Sequence, residues 1–140
     1  MGDSDSGKKI IFSSFGFKYG APVNANYIFD VRFIPNPYYV EELRRLSGKD
    51  KEIQDFLLSC EETNKLISNC IKFLDYIIPA YISTGRSINI AIGCTGGRHR
   101  SVTFAEWLFS HYGSKMRSLS ENRSYELILN HRDISIEGDE

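Results

Sequence analysis

Residues 87–112 constrain the fold of this 140-residue chain more than any other stretch. Ser87-Ile88-Asn89-Ile90-Ala91-Ile92 is an apolar run rich in β-branched side chains, which predicts a buried strand. It runs into a glycine-rich turn, Gly93-Cys94-Thr95-Gly96-Gly97-Arg98-His99-Arg100-Ser101. After the turn, Val102, Ala105, Leu108, Phe109 and Tyr112 recur at helical spacing, predicting an amphipathic helix that starts near His99. Strand, tight turn and helix in this order commit the chain to an α/β fold: one domain with a mostly parallel or mixed sheet flanked by helices.

The remaining segments fit that scheme. Residues 1–8 read as a flexible start and residues 9–14 as a first strand. Phe15-Gly16-Phe17-Lys18-Tyr19-Gly20 reads as a loop leaving it. In residues 26–33, Phe29, Val31 and Phe33 alternate with Asp30 and Arg32, which predicts a second strand stopped by Pro35-Asn36-Pro37. A short helix is expected over 39–46, ended by Gly48, and a second from Asp50 to Leu58. A long helix is expected over 61–83, with Leu66, Ile67, Cys70, Leu74, Ile78 and Tyr81 on its apolar face and Pro79 kinking or dividing it. Residues 113–120 are polar and read as a loop. Residues 125–129 read as a last strand or the end of a short helix, delivering His131, Arg132 and Asp133. The domain then spans 9–134, and residues 135–140 form an acidic tail. Ligands of open α/β sheets sit at the carboxyl ends of the strands, so segments 15–20, 34–39 and 93–101 are expected to meet in one cleft.

Composition excludes several classes of function. The net charge is -1, so any anion binding has to come from local clustering and not from the overall field. The three cysteines, Cys60, Cys70 and Cys94, show no paired spacing, which argues against a zinc or disulfide framework; no metal and no cofactor are expected. The start is polar, without the apolar stretch of a signal peptide. No apolar run approaches the roughly 18 residues of a membrane span. A cytoplasmic location without membrane contact is expected.

The turn itself carries chemistry. A helix start leaves N–H groups without intrahelical partners, and Gly96 to His99 sit where such groups can face an anion. Arg98 and Arg100 add forked donors suited to phosphate or carboxylate, Thr95 and Ser101 add hydroxyls, and His99 can donate or accept. The alternative is a tight turn whose arginines face solvent. Asp30 and Arg32, two apart on one strand face, read either as ligand contacts or as a structural ion pair, and Phe15 and Phe17 read as core. The octet from Cys94 to Ser101 also reads C-x-x-G-x-x-R-S, which resembles the phosphate loop of Cys-dependent protein tyrosine phosphatases. That resemblance implies Cys94 as a nucleophile and Arg100 as a phosphate clamp. Those phosphatases usually carry His just before the cysteine, where this chain has Gly93, and Asp30 and Asp133 are the candidate acids.

A second resemblance covers nearly the whole chain. Ser14 to Gly20 (SFGFKYG), Phe29 to Pro37 (FDVRFIPNP), Ser47-Gly48-Lys49-Asp50, Gly93 to Ser101 and His131-Arg132-Asp133 occur in the order found in the C-terminal domain of the RapZ/YvcJ family, and the chain resembles that domain from about Ile10 to Asp133. The family consists of bacterial regulators described as RNase adapters, in which a P-loop domain precedes this one. No G-x-x-x-x-G-K-[ST] motif is present, so Walker-type hydrolysis does not carry over. The resemblance implies a fold similar to a phosphofructokinase subdomain. It implies a sensor or adapter rather than a catalyst, binding an amino-sugar phosphate such as glucosamine-6-phosphate or a UDP-sugar such as UDP-N-acetylglucosamine. Thr95, Gly96, His99 and Arg100 would touch the phosphate. Lys18 matches the first motif, Asp30, Arg32 and Asn36 the second, and Gly97, Arg98, Ser101, His131 and Arg132 complete the candidate set. RNA or a regulatory protein, and a second copy in a homo-oligomer, are the further partners implied. An RNA-binding reading would use Lys18, Arg44, Arg45 and the loop arginines, and the net charge of -1 gives it little general attraction.

Overall fold

The computed structural model describes residues 8–117 and 125–136. The expectations for residues 1–7, 118–120 and 137–140 lie outside the described residues. Among the described residues four strands, β1 (Lys9–Gly16), β2 (Tyr27–Asp30), β3 (Ile88–Cys94) and β4 (Glu126–His131), form a sheet in the order β2-β3-β1-β4. Every pairing among them is parallel. Among the described residues the sheet is accompanied by three α-helices: α1 (Lys51–Leu58), α2 (Glu61–Ser83) and α3 (Arg100–Arg117).

Register fixes which side chains share a face. Ile10 and Phe12 of β1 stand beside Ile88 and Ile90 of β3, Tyr27 of β2 aligns with Ile90, and Leu127 and Leu129 of β4 align with Ile10 and Phe12. The helices cover this face. Tyr112 of α3 stacks on Phe12 with ring centroids 5.8 Å apart, and Phe73 of α2 meets Tyr27 edge-on at 5.2 Å. Ile53 and Leu57 of α1, Leu74 and Ile78 of α2, and Phe104 and Leu108 of α3 join these strand residues in one buried cluster. Topology accounts for the one-sidedness. The steps β2→β3 and β3→β4 move across the sheet in the same direction, so right-handed crossovers put both sets of helices on one side.

The structure corrects four local expectations. The second strand is only four residues long, although the amide of Val31 extends its ladder with a 2.9 Å bond to the Gly93 carbonyl. Residues 39–46 hold no α-helix; two 3-10 turns, Pro37–Tyr39 and Glu41–Leu43, stand in this region. Asn36 opens the first of these, its side-chain carbonyl accepting from the Tyr38 amide at 3.0 Å. α3 continues through Gly113 to Arg117, because burial of Tyr112 and a Lys115–Asp75 ion pair of 2.9 Å hold the turn against α2. α2 runs unbroken through Pro79, which lies on the exposed side near the helix end, where water can take the freed carbonyl. The last apolar run is a strand.

Candidate functional site

β1 leaves the sheet toward β2 and β3 leaves it toward β4, so their carboxyl ends flank the switch point where open α/β sheets bind ligands. The loops meet there. The Lys18 amide donates to the Thr95 carbonyl at 3.2 Å, and Arg100 Nη1 donates to the carbonyls of Arg32 at 2.7 Å and Ile34 at 3.2 Å. Segments following β1, β2 and β3 are thus joined at one place.

The glycines of the turn answer first to the protein. Gly97 has φ +79, and a Cβ on it would lie 2.6 Å from the Gly16 amide. A Cβ on Gly16 would in turn meet the Gly96 carbonyl carbon. Two loops pass here backbone against backbone, and any side chain would part them.

Hydrogen bonding separates the candidate residues into groups. Arg98 acts as a staple: Nη1 donates to the Ile134 carbonyl at 2.7 Å, Nη2 to Arg45 at 2.8 Å and Nε to Leu46 at 3.3 Å. His99 is 0% exposed, and its Nε2–H donates to the Leu46 carbonyl at 2.6 Å, so one edge of the ring faces the 45–48 loop. Arg32 forms a bidentate pair with Asp30 (2.8 and 3.0 Å) and lies 4.0 Å over the Phe17 ring. The Arg32 guanidinium, chiefly through its hydrogen bonds, holds the Asp30 carboxyl below the ordinary carboxylate value. Arg132 closes the 16–20 loop by donating to the Gly20 carbonyl at 2.7 Å and pairing with Asp133 at 2.8 Å. Asp133, buried, also accepts from the Gly16 amide at 2.8 Å. His131 turns under the sheet: its Nδ1 lies 2.6 Å from the Ser14 hydroxyl and its Nε2 lies 2.9 Å from Glu106 of α3. With the ring neutral, Nε2–H donates to the carboxylate and Nδ1 accepts the serine proton. Neither Ser14 nor Glu106 stands out in the sequence as a histidine partner.

Cys94 and Ser101 belong together beneath the loop. The thiol donates to Ser101 Oγ at 3.2 Å, and the Ser101 amide donates back to the sulfur at 3.4 Å. Both residues are fully buried, so the sulfur is packed inside and does not open onto the surface.

Arg100 stands apart from the other arginines. It is 4% exposed and no carboxylate among the described residues pairs with it. Its donors reach two main-chain carbonyls and, at 3.5 Å, Thr95 Oγ1; its Nε–H is buried without an acceptor among the described residues. It is the first residue of α3, where the helix dipole adds further positive potential. Lys18 is exposed, its Nζ 5.6 Å from the Tyr19 ring. The arrangement is a buried cation at a helix N-terminus, within hydrogen-bond reach of the Thr95 hydroxyl and near enough to Asp30 to help lower its carboxyl pKa without pairing with it, and its chemistry suits an anion. Among the described residues, no group of three or more His, Cys, Asp or Glu is placed to hold a metal ion. No helix among them is long and apolar enough to cross a membrane.

A parallel α/β domain with a glycine loop between its central strand and the following helix is the class these features define. The model of the RapZ C-terminal domain matches residues 8–135, and the chain belongs to that family. It is 46% identical over 123 residues to a nucleotide-binding protein of Clostridium botulinum (strain Loch Maree / Type A3), an overlap that covers 87% of this chain and 39% of that protein. A nucleotide-binding protein of Clostridium novyi (strain NT) is 49% identical over 123 residues, with the same coverage of 87% and 39%. One from Ruminiclostridium cellulolyticum is 45% identical over 126 residues, covering 89% of this chain and 40% of the relative. The chain thus spans about two-fifths of the length of the curated relatives it matches.

Proposed function

We propose that this domain is a regulatory or adapter module that binds a small phosphorylated ligand, an amino-sugar phosphate or a UDP-sugar, at the carboxyl ends of β1 and β3. The observation that carries the reading is Arg100: a buried guanidinium without a carboxylate partner, at a helix start, with one N–H left without an acceptor among the described residues. Asp30 compensates this buried charge only from a distance, and a bound phosphate would supply a directly paired countercharge and the missing acceptor. Thr95 and the loop amides complete the cradle, and Lys18 takes the outer side of the anion. Arg98, His99, Arg32, Asp30 and Arg132 shape the cradle by holding its loops, and Asn36 does so by capping the turn beside it. Family membership supports a binding and regulatory role, in agreement with relatives named nucleotide-binding proteins.

A thermal-shift panel tests the reading with inorganic phosphate, glucosamine-6-phosphate and UDP-N-acetylglucosamine. A ligand present at a hundred times its Kd stabilises the fold by about 2.7 kcal/mol, a shift of several degrees. The expected result is such a shift with at least one phosphorylated sugar, lost in Arg100→Lys. No shift with any of the three anions at millimolar concentration contradicts it.

A further inference from the structure

A pocket of ≈ 180 Å³ lies between α1 and α3, lined by Gln54 and Leu58 of the first helix and by Thr103, Glu106, Trp107 and Ser110 of the second. Arg100, on the same helix, sends its guanidinium to the carbonyls of Arg32 and Ile34 and does not line it. At about 30 Å³ per water the pocket has the volume of about six waters, well under the roughly 300–1,000 Å³ of sites for drug-sized ligands, so its occupant is small. Hydrogen bonds define the chemistry of its walls. Gln54 Nε2 donates to the Gly48 carbonyl at 2.8 Å, and Thr103 Oγ1 donates to the same carbonyl at 3.3 Å. Gln54 keeps its side-chain oxygen and one N–H, and Thr103 keeps a lone pair. Glu106 only accepts: its Oε2 takes the His131 N–H at 2.9 Å, and its Oε1 has no hydrogen bond among the described residues. No lysine or arginine among the described residues pairs with Glu106, and the neutral His131 ring returns no charge to it. The one cation of α1, Lys51, is held by Asp55 at 2.7 Å. Trp107, the single tryptophan of the chain, carries His111 stacked on one ring face at 5.0 Å, and an indole attracts cations.

We propose that this pocket binds a small free primary amine in its ammonium form, with the head group on Glu106, Gln54 and Thr103 and a short alkyl stem against Leu58 and Trp107. A primary ammonium brings three N–H donors on a compact charged head, and the three residues offer an acceptor each. The Glu106 carboxylate, with its side chain 28% exposed, is shielded enough for its charge to count and open enough to be reached. The same carboxylate repels an anion. A metal ion would find one carboxylate here, and no group of three or more His, Cys, Asp or Glu among the described residues is placed to hold one. The site is independent of the anion site around Arg100, so either can fail without the other.

Because Trp107 is the only tryptophan, its fluorescence reads the pocket directly. n-Butylammonium chloride is titrated into the intact chain at constant ionic strength. Two controls accompany it: n-butanol, of the same size without charge, and tetramethylammonium, charged without N–H donors. The expected result is a saturable change with n-butylammonium below about 10 mM, in the range a ligand of so few atoms can reach, and none with either control. Glu106→Gln keeps an acceptor for the His131 N–H and removes the charge; it should weaken binding at least tenfold, while Arg100→Lys leaves it unchanged. Ser110→Leu fills the pocket from an exposed position and should abolish the response even if Glu106→Gln fails to fold. No saturable change with n-butylammonium overturns the proposal, as does an equal response to n-butanol or binding retained in Ser110→Leu or in folded Glu106→Gln. Nα-acetyl-lysine methylamide carries the same head group on a peptide. Its binding more tightly than n-butylammonium would overturn the assignment to a free amine by making a partner's lysine the occupant.

Discussion

Arg32, Arg98, Arg100 and Arg132 crowd the carboxyl end of the sheet, and their hydrogen bonds give them different tasks. Arg98 and Arg132 hold main-chain carbonyls, Arg32 holds a carboxylate, and Arg100 alone keeps a buried N–H without an acceptor among the described residues. Substitutions therefore separate. Arg98→Ala lowers stability, since it frees three carbonyl contacts of the 45–48 and 134 segments, while Arg100→Lys removes ligand response with the fold retained. Gly97→Ala forces an L side chain to φ +79 against the Gly16 amide and should cost more than about 1 kcal/mol in urea denaturation. Asp133→Ala strands the buried Gly16 amide and should cost about 1–3 kcal/mol by the same measurement. Cys94→Ser tests the phosphatase resemblance: a buried thiol held by Ser101 predicts no aryl-phosphate turnover in either form and unchanged ligand binding. Turnover that disappears in the serine variant would restore Cys94 as a nucleophile.

At the level of elements, regular side-chain patterns were legible and main-chain partnerships were not. The strand–turn–helix at 87–112 and the long helix over 61–83 could be read from periodicity because the buried face dictates it. The segment 39–46 misled because Leu43, at the end of a 3-10 turn, and Leu46, three residues later, both pack onto the core at a spacing that an α-helix would also give. The strand–glycine turn–helix form of the motif loop was legible, but the division of labour within it was not. Arg98, His99 and Arg100 are directed by the carbonyls of Leu46, Ile134, Arg32 and Ile34, and a carbonyl carries no sequence signature. The β2 end gives a pH test. Asp30 titrates below its unfolded value, so its stabilising contribution is present above the ordinary carboxylate range and is lost as the pH falls through the folded value. Asp30→Asn should flatten the acid limb of a stability–pH curve slightly, since both partners are about half-exposed and screened by salt. An unchanged acid limb would mean that the pair contributes nothing.

For the molecule as a whole, a net charge of -1 and a cluster of arginines already engaged by carbonyls and carboxylates leave little for a phosphodiester backbone to hold. Gel retardation should show no RNA retention at physiological salt; salt-sensitive retention lost in Arg44→Ala and Arg45→Ala together would favour the nucleic-acid reading. The parallel topology places α1, α2 and α3 on one face of the sheet and the glycine loop at the carboxyl ends of its inner strands. The central claim is that Arg100 is a buried cation awaiting an anion. Isothermal titration of the intact chain, Arg100→Lys and Arg98→Lys with the phosphorylated sugar that gives the largest thermal shift tests it most directly. The expected result is saturable binding by the intact chain, at least tenfold weaker in Arg100→Lys with its circular dichroism unchanged, and within about threefold of the intact chain in Arg98→Lys. Equal affinity in the intact chain and Arg100→Lys would contradict it.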